Sequence, residues 1–270
     1  MLKHTLPFQG YGRKLQCLMI GLCLAASGGV QAGDPSFTSS ADTVFDIIRD
    51  DDPSDFLCLV YQGRDRRQMW DKRLDGEDDY DTFLFRAYFG HGPTMDIILN
   101  PEFETENQAR AEAMRYVGGL GRLPLILREG IVQFGIHKGD RSFHGGPGKI
   151  FMYQDKASLR MAQNKLEESI LHEAVHAAFD TRWGDDPDWR AAQQADPGFV
   201  TRYAADNPDR EDLAESVLFA LALLRHPGRI PPVDSADILR AIPHRIRVIE
   251  HMLVAPPKVA QSPIPPDTCR

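Results

Sequence analysis

The chain lacks an excess of basic residues, a long apolar run, an internal repeat and a glycine-rich phosphate loop, and each absence removes a class of function. Lys and Arg number 31 against 39 Asp and Glu, a formal net charge of −8. Nucleic acids and anionic membranes are bound through basic patches, so neither is expected as a partner. The apolar stretch Cys17 to Ser27 is too short to span a bilayer. With Lys3, Arg13 and Lys14 ahead of it and Val30-Gln31-Ala32 behind, residues 1–32 read as a secretory signal peptide. The chain is therefore expected to be exported, periplasmic or secreted, with no stable membrane insertion after signal removal. Cysteine is scarce as well: of four, two lie in that leader, leaving Cys58 and Cys269. Neither has metal-type spacing, and in an oxidising compartment an even pair is expected to be bridged, pinning a proline-rich tail at 256–270. Two free thiols are the alternative. Residues 33–255 suffice for one sizeable core, or one domain with two lobes.

What is present is concentrated in Leu171-His172-Glu173-Ala174-Val175-His176, inside a helix-compatible run expected over residues 158–180. On a helix, His172 and His176 stand one turn apart on one face, where two neutral imidazoles reach one metal ion. Glu173 projects beside that ion, where a carboxylate can take a proton from water. This is the H-E-x-x-H arrangement of zinc hydrolases. Leu159, Ala162, Leu166, Ile170, Ala174 and Ala177 form the apolar stripe expected to bury the helix. The alternative is a half-buried helix with two coincidental histidines.

A catalytic zinc takes a third protein ligand and leaves a fourth position open. Asp180 repeats the i+4 spacing but lies about 12 Å along a continuous helix from His172, too far to share an ion. It is expected instead at the helix end or hydrogen-bonded behind a ligand. The metzincin pattern needs Gly three residues after His176 and His or Asp six after it; Phe179 and Arg182 exclude it. The remaining candidate is Glu211-Asp212-Leu213-Ala214-Glu215, opening a second amphipathic helix through Val217, Leu218, Leu221 and Leu224 and closed by His226-Pro227-Gly228. Two carboxylates one turn apart on an apolar helix are costly to bury unpaired. Glu211 as third zinc ligand and Glu215 as acceptor from the His172 ring N–H would satisfy both. First-turn acids complementing the helix dipole are the alternative.

His172-Glu173-x-x-His176 followed 35 residues later by Glu211-x-x-Ala214-Glu215 resembles the gluzincin metallopeptidases, most closely the anthrax lethal factor-like catalytic domain. The resemblance covers residues 158–225. It implies an α+β, zincin-like fold with a strand-rich N-terminal lobe, a helical C-terminal lobe and one catalytic Zn2+ between them. It also implies hydrolysis of a peptide or protein substrate, with Glu173 as general base. In that family Asp stands four residues after the second histidine, as Asp180 does, and a tyrosine upstream of the ligand glutamate stabilises the oxyanion. Tyr203 occupies that place. An exported binding or scaffold protein with a structural or silent zinc, and a zinc amidase acting on a non-peptide amide, are the alternatives.

Around this core, a short helix is expected at Thr43 to Asp50 and a strand at Phe56 to Gln62. Asp75 to Asp81 fails the spacing of a calcium loop and reads as a solvated loop. Strands are expected at Thr82 to Phe89 and Met95 to Leu99, a helix from Asn107 to Val117 stopping at Gly118-Gly119, and a broken strand over Pro124 to His137. Lys149 to Tyr153 reads as a strand at the sheet edge beside the metal cleft, able to hold an extended peptide by main-chain hydrogen bonds; an internal strand is the alternative. His144 is placed outside the site. Residues 181–209 are expected to line the cleft, and a final helix over Ser235 to Val254 is interrupted near Pro243.

Overall fold

Alternation of apolar residues along Phe83 to Phe89 sets the frame: Phe83, Phe85 and Ala87 face the main core, whereas Leu84 turns to a smaller cluster with Met69, Ile98 and Phe151 on the other side of a sheet. The computed structural model describes residues 34–256, 264–265 and 267–269. The expected signal at 1–32 lies outside the described residues, as does most of the tail. The strands are β1 (Phe56–Asp71), β2 (Gly76–Phe89), β3 (Met95–Leu99), β4 (Gln133–His137), β5 (His144–Gly146) and β6 (Lys149–Tyr153). They form one mixed sheet in the order β1-β2-β3-β4-β6-β5, with β3, β4 and β6 parallel and the other neighbours antiparallel.

Helices α1 (Glu106–Arg122) and α2 (Leu125–Arg128) connect β3 to β4. After the sheet come α3 (Gln154–Ala162), α4 (Leu166–Ala178), α5 (Asp180–Trp183), α6 (Pro187–Ala195), α7 (Arg202–Asp206), α8 (Asp212–Arg225), α9 (Pro232–Ala241) and α10 (Pro243–Val254). The protein is thus mixed α/β, its strands confined to the first part of the described chain. Sheet and helices share one large hydrophobic cluster, and the small second one lies on the other face of the sheet. No helix among the described residues is long and apolar enough to cross a membrane.

Several expectations are corrected. The helix expected over 158–180 is two, α3 and α4, because Asn164 adopts φ 52°, a left-handed conformation that asparagine tolerates and that ends α3. Leu159, at 47% exposure, and Ala162 therefore stand outside the buried stripe, while Leu166, Ile170, Ala174 and Ala177 keep it. Thr43 to Asp50 is not helical, since the backbone N–H groups of Ile47 and Ile48 are drawn to the buried Glu168 carboxylate at 2.7 and 3.2 Å. The acidic run after Asp75 is the start of β2, not a loop. Its charge is met across the hairpin by Arg64 on Asp81 and Arg66 on Asp79.

Helix α1 runs through Gly118-Gly119 rather than stopping there, and Gly121 is needed for contact: a Cβ on it would lie 2.7 Å from the Phe56 backbone nitrogen. The first part of Pro124 to His137 is the short helix α2. Most consequentially, β6 is internal, and the sheet edge beside it is β5. Cys58 on β1 is paired with Cys269, the Cα atoms 5.5 Å apart, so a turn at Asp267–Cys269 is tied to the sheet.

Candidate metal centre

Helix α4 owes its position to burial of Ile170, Leu171, Ala174 and Val175, packed in the same core as Leu213, Ala214, Val217 and Leu218 of α8. Packing these faces brings His172 and His176 to Glu211, the residue immediately before α8. The start of α8 is anchored by Asp212, which accepts from the fully buried Arg245 of α10 at 2.8 Å and from Gln193 of α6 at 2.7 Å.

The three side chains converge through single atoms. His172 Nε2 and His176 Nε2 are 3.2 Å apart, His176 Nε2 is 3.2 Å from Glu211 Oε2, and His172 Nε2 is 3.4 Å from the same oxygen. The outward nitrogen of each ring is already taken. His172 Nδ1 meets Glu215 Oε1 at 3.3 Å, and His176 Nδ1 meets Asp180 Oδ2 at 2.8 Å. An ionised carboxylate only accepts, so in a neutral ring held this way Nδ1 would carry the hydrogen and Nε2 would present a lone pair inward. Two imidazole lone pairs and a carboxylate oxygen then face one point with nothing donating, an arrangement that requires a cation or added protons.

Burial opposes charge on both rings, yet the carboxylates outweigh it without a metal. Glu211 and Glu215 push His172 up to about 10, and Asp180 with Glu211 push His176 to about 9. Burial would raise Glu211, but the two histidines hold it well below the usual carboxylate range. A divalent cation would take the place of those protons. The donor set and the spacing both fit one. Tetrahedral zinc with bonds of about 2.0–2.1 Å has ligand–ligand edges of about 3.3 Å. Two imidazoles and a carboxylate are also a set that zinc accepts.

Two side chains behind the ligands differ in how visible they were. Glu215 stands where expected, held by Ser40, whose N–H and hydroxyl donate to its two oxygens at 2.7 and 2.8 Å. Ser40 was missed; it arrives from a short 3-10 turn, Ser40–Asp42, and no spacing marks it. Asp180 is a partner of His176, not a ligand. The same N-terminal segment also reaches Tyr203, whose N–H donates to the Thr38 carbonyl at 3.0 Å. Tyr203, at 41% exposure, faces the ligand cluster, and burial with the Glu211 carboxylate pushes its phenol up to about 12.

Glu173 turns to the cleft, and its carboxylate has no hydrogen-bond partner among the described residues. Cavities of about 310 and 390 Å³ meet at His172, Glu173 and Tyr203. Gly184, Asp185, Trp189 and Arg190 of the segment between the ligand helices line the first, as expected of that insertion. Edge strand β5 comes close because Gly145 lacks a side chain: a Cβ there would lie 2.5 Å from the Glu173 carbonyl and 2.8 Å from the His176 Cβ. His144, expected outside the site, is therefore one of its walls, stacked on Trp70 with ring centroids 5.2 Å apart. Lys72, in the turn between β1 and β2, was also missed; its ammonium donates to the Phe143 carbonyl and reaches both cavities. Comparison of the chain with protein-family models, curated proteins and solved structures found no match.

Proposed function

We propose that the protein is an exported, zinc-dependent peptidase whose metal is held by His172, His176 and Glu211. The observation that carries this reading is the inward-facing triangle of three lone-pair donors, open to a cleft on the side where Glu173 stands free. Zinc bound there would polarise a scissile carbonyl and lower the pKa of a water towards neutrality. The remaining work falls to the chain's own residues. Glu173 takes the water proton on its carboxylate and returns it to the leaving amine. Tyr203, whose phenol lines the cleft beside Glu211, donates a hydrogen bond to the oxyanion, a contribution of about 3 kcal/mol. Glu215 and Asp180 keep both imidazoles in the tautomer that offers Nε2. The edge of β5, rather than β6, offers main-chain groups to an extended peptide.

A closed structural site would need a fourth protein ligand, and the metal-capable group among the described residues has three members. The Cys58–Cys269 pairing supports an oxidising compartment and hence export. The test is zinc analysis beside digestion of a peptide library before and after chelation. One zinc per chain, with cleavage lost on chelation and restored by zinc, is expected. Zinc retention with no peptide cut at any position would overturn the peptidase reading.

A further inference from the structure

The two cavities that meet at Glu173 differ in how their charges are satisfied. In the smaller one, Arg190 pairs with Asp185 and Asp209, both at 2.9 Å, Asp180 holds His176, and Arg210 lies 3.6 Å from Glu211. Apart from Lys72 and Glu173, which it shares with the larger cavity, its fixed charges are spent on one another. The larger cavity, between α3 and the β1–β2 turn, contains Lys72, Lys156 and Arg160. Lys156 and Arg160 are one turn apart on α3 and therefore share a face. Of the carboxylates there, Glu215 is taken by Ser40 and His172, and Asp42 by Ser39 and Arg160. Glu173 stands on the border with the metal centre.

Two cations are left over. Lys156 has no ion-pair partner among the described residues, and Lys72 donates only to neutral oxygens, Ser142 Oγ at 2.7 Å and the Phe143 carbonyl at 2.6 Å. Lys72 is half-buried, where an ammonium without an ion pair is costly, and burial lowers its pKa by more than the attraction of Glu173 and Glu211 raises it. It is also held in place. Its backbone N–H donates to Tyr153 Oη at 2.7 Å, and that hydroxyl donates to the buried Asp71 at 3.1 Å. An acidic chain has thus kept a fixed cation with no ion pair of its own beside its candidate base, attracted across the cleft only by the Glu173 and Glu211 carboxylates of the metal centre.

We propose that this cavity selects a substrate bearing a carboxylate, seated by Lys72 and Lys156 on one side of the bond to be cut. The proposal deepens the peptidase reading and rests on it for the identity of the ligand as a peptide. A side-chain carboxylate of Asp or Glu and the terminal carboxylate of a peptide share this chemistry. Charge-assisted hydrogen bonds of this kind are worth about tenfold in affinity over the neutral isostere.

Binding, rather than turnover, provides the test. Zinc-loaded Glu173→Gln protein is titrated with short peptide libraries fixed as Glu, Gln or Lys at each position in turn, and with the same peptides as C-terminal acids or amides. One Glu-fixed library, or the free-acid set, is expected to bind about tenfold more tightly than its neutral counterpart. Adding Lys156→Glu should reverse the preference towards Lys, and Lys72→Met should flatten it, with the thermal midpoint of Lys156→Glu unchanged. Equal binding of charged and neutral peptides, or a preference that neither substitution moves, overturns the proposal. The two readings fail separately: charge-selective binding with no cleavage by the native chain removes only the peptidase, and cleavage indifferent to charge removes only the carboxylate site.

Discussion

Glu211→Ala is expected to lower zinc affinity by at least about a hundredfold, read by competition with a chromophoric chelator. The side chain is 6% exposed, and its Oε2 closes the triangle with both imidazoles. Alanine leaves two neutral donors that cannot complete a tetrahedral face. Glu211 provides no side-chain cap to α8, so the helix keeps its hydrogen bonds, and circular dichroism should be unchanged. Glu215→Ala, which leaves the three ligands in place but removes the partner of His172 Nδ1 and the acceptor of both Ser40 donors, is expected to cost about 10- to 100-fold. Unchanged zinc affinity in Glu211→Ala would mean that the third ligand is another residue.

Glu173→Gln should separate metal binding from chemistry. The carboxylate makes no hydrogen bond within the described chain, so an isosteric amide is expected to alter stability by less than about 0.5 kcal/mol. Zinc content should be unaffected, because Glu173 is not among the three converging donors. As general base its loss is expected to lower kcat about 10²- to 10⁴-fold with little change in KM. A kcat within a few-fold of the native value would remove Glu173 from that role.

Much of the candidate site was legible because helical periodicity makes spacing in sequence equivalent to position in space. His172, His176, Glu211 and Glu215 all belong to i, i+4 pairs, and their helices are strongly apolar on the opposite face. Strands β3 and β6, and the break at Pro243, were legible for the same kind of local reason. What escaped depends on contacts distant in sequence. Ser40 lies 132 residues before His172, and Lys72 enters the cleft from a hairpin turn. Strand β5 is three residues, His144-Gly145-Gly146, with no strand-type side chain; only its pairing with β6 makes it the edge. The acidic start of β2 resembles a loop until Arg64 and Arg66 appear across from it. The division of α3 from α4 rests on one left-handed asparagine inside an otherwise continuous apolar pattern.

Anomalous X-ray scattering from crystals of the zinc-loaded protein, recorded on either side of the zinc edge, tests the account most directly. It predicts one strong peak per chain, about 2.0–2.1 Å from His172 Nε2, His176 Nε2 and a Glu211 oxygen, with the remaining position facing the Glu173 side of the cleft. A peak elsewhere, or a fourth side chain closing the tetrahedron, would contradict it.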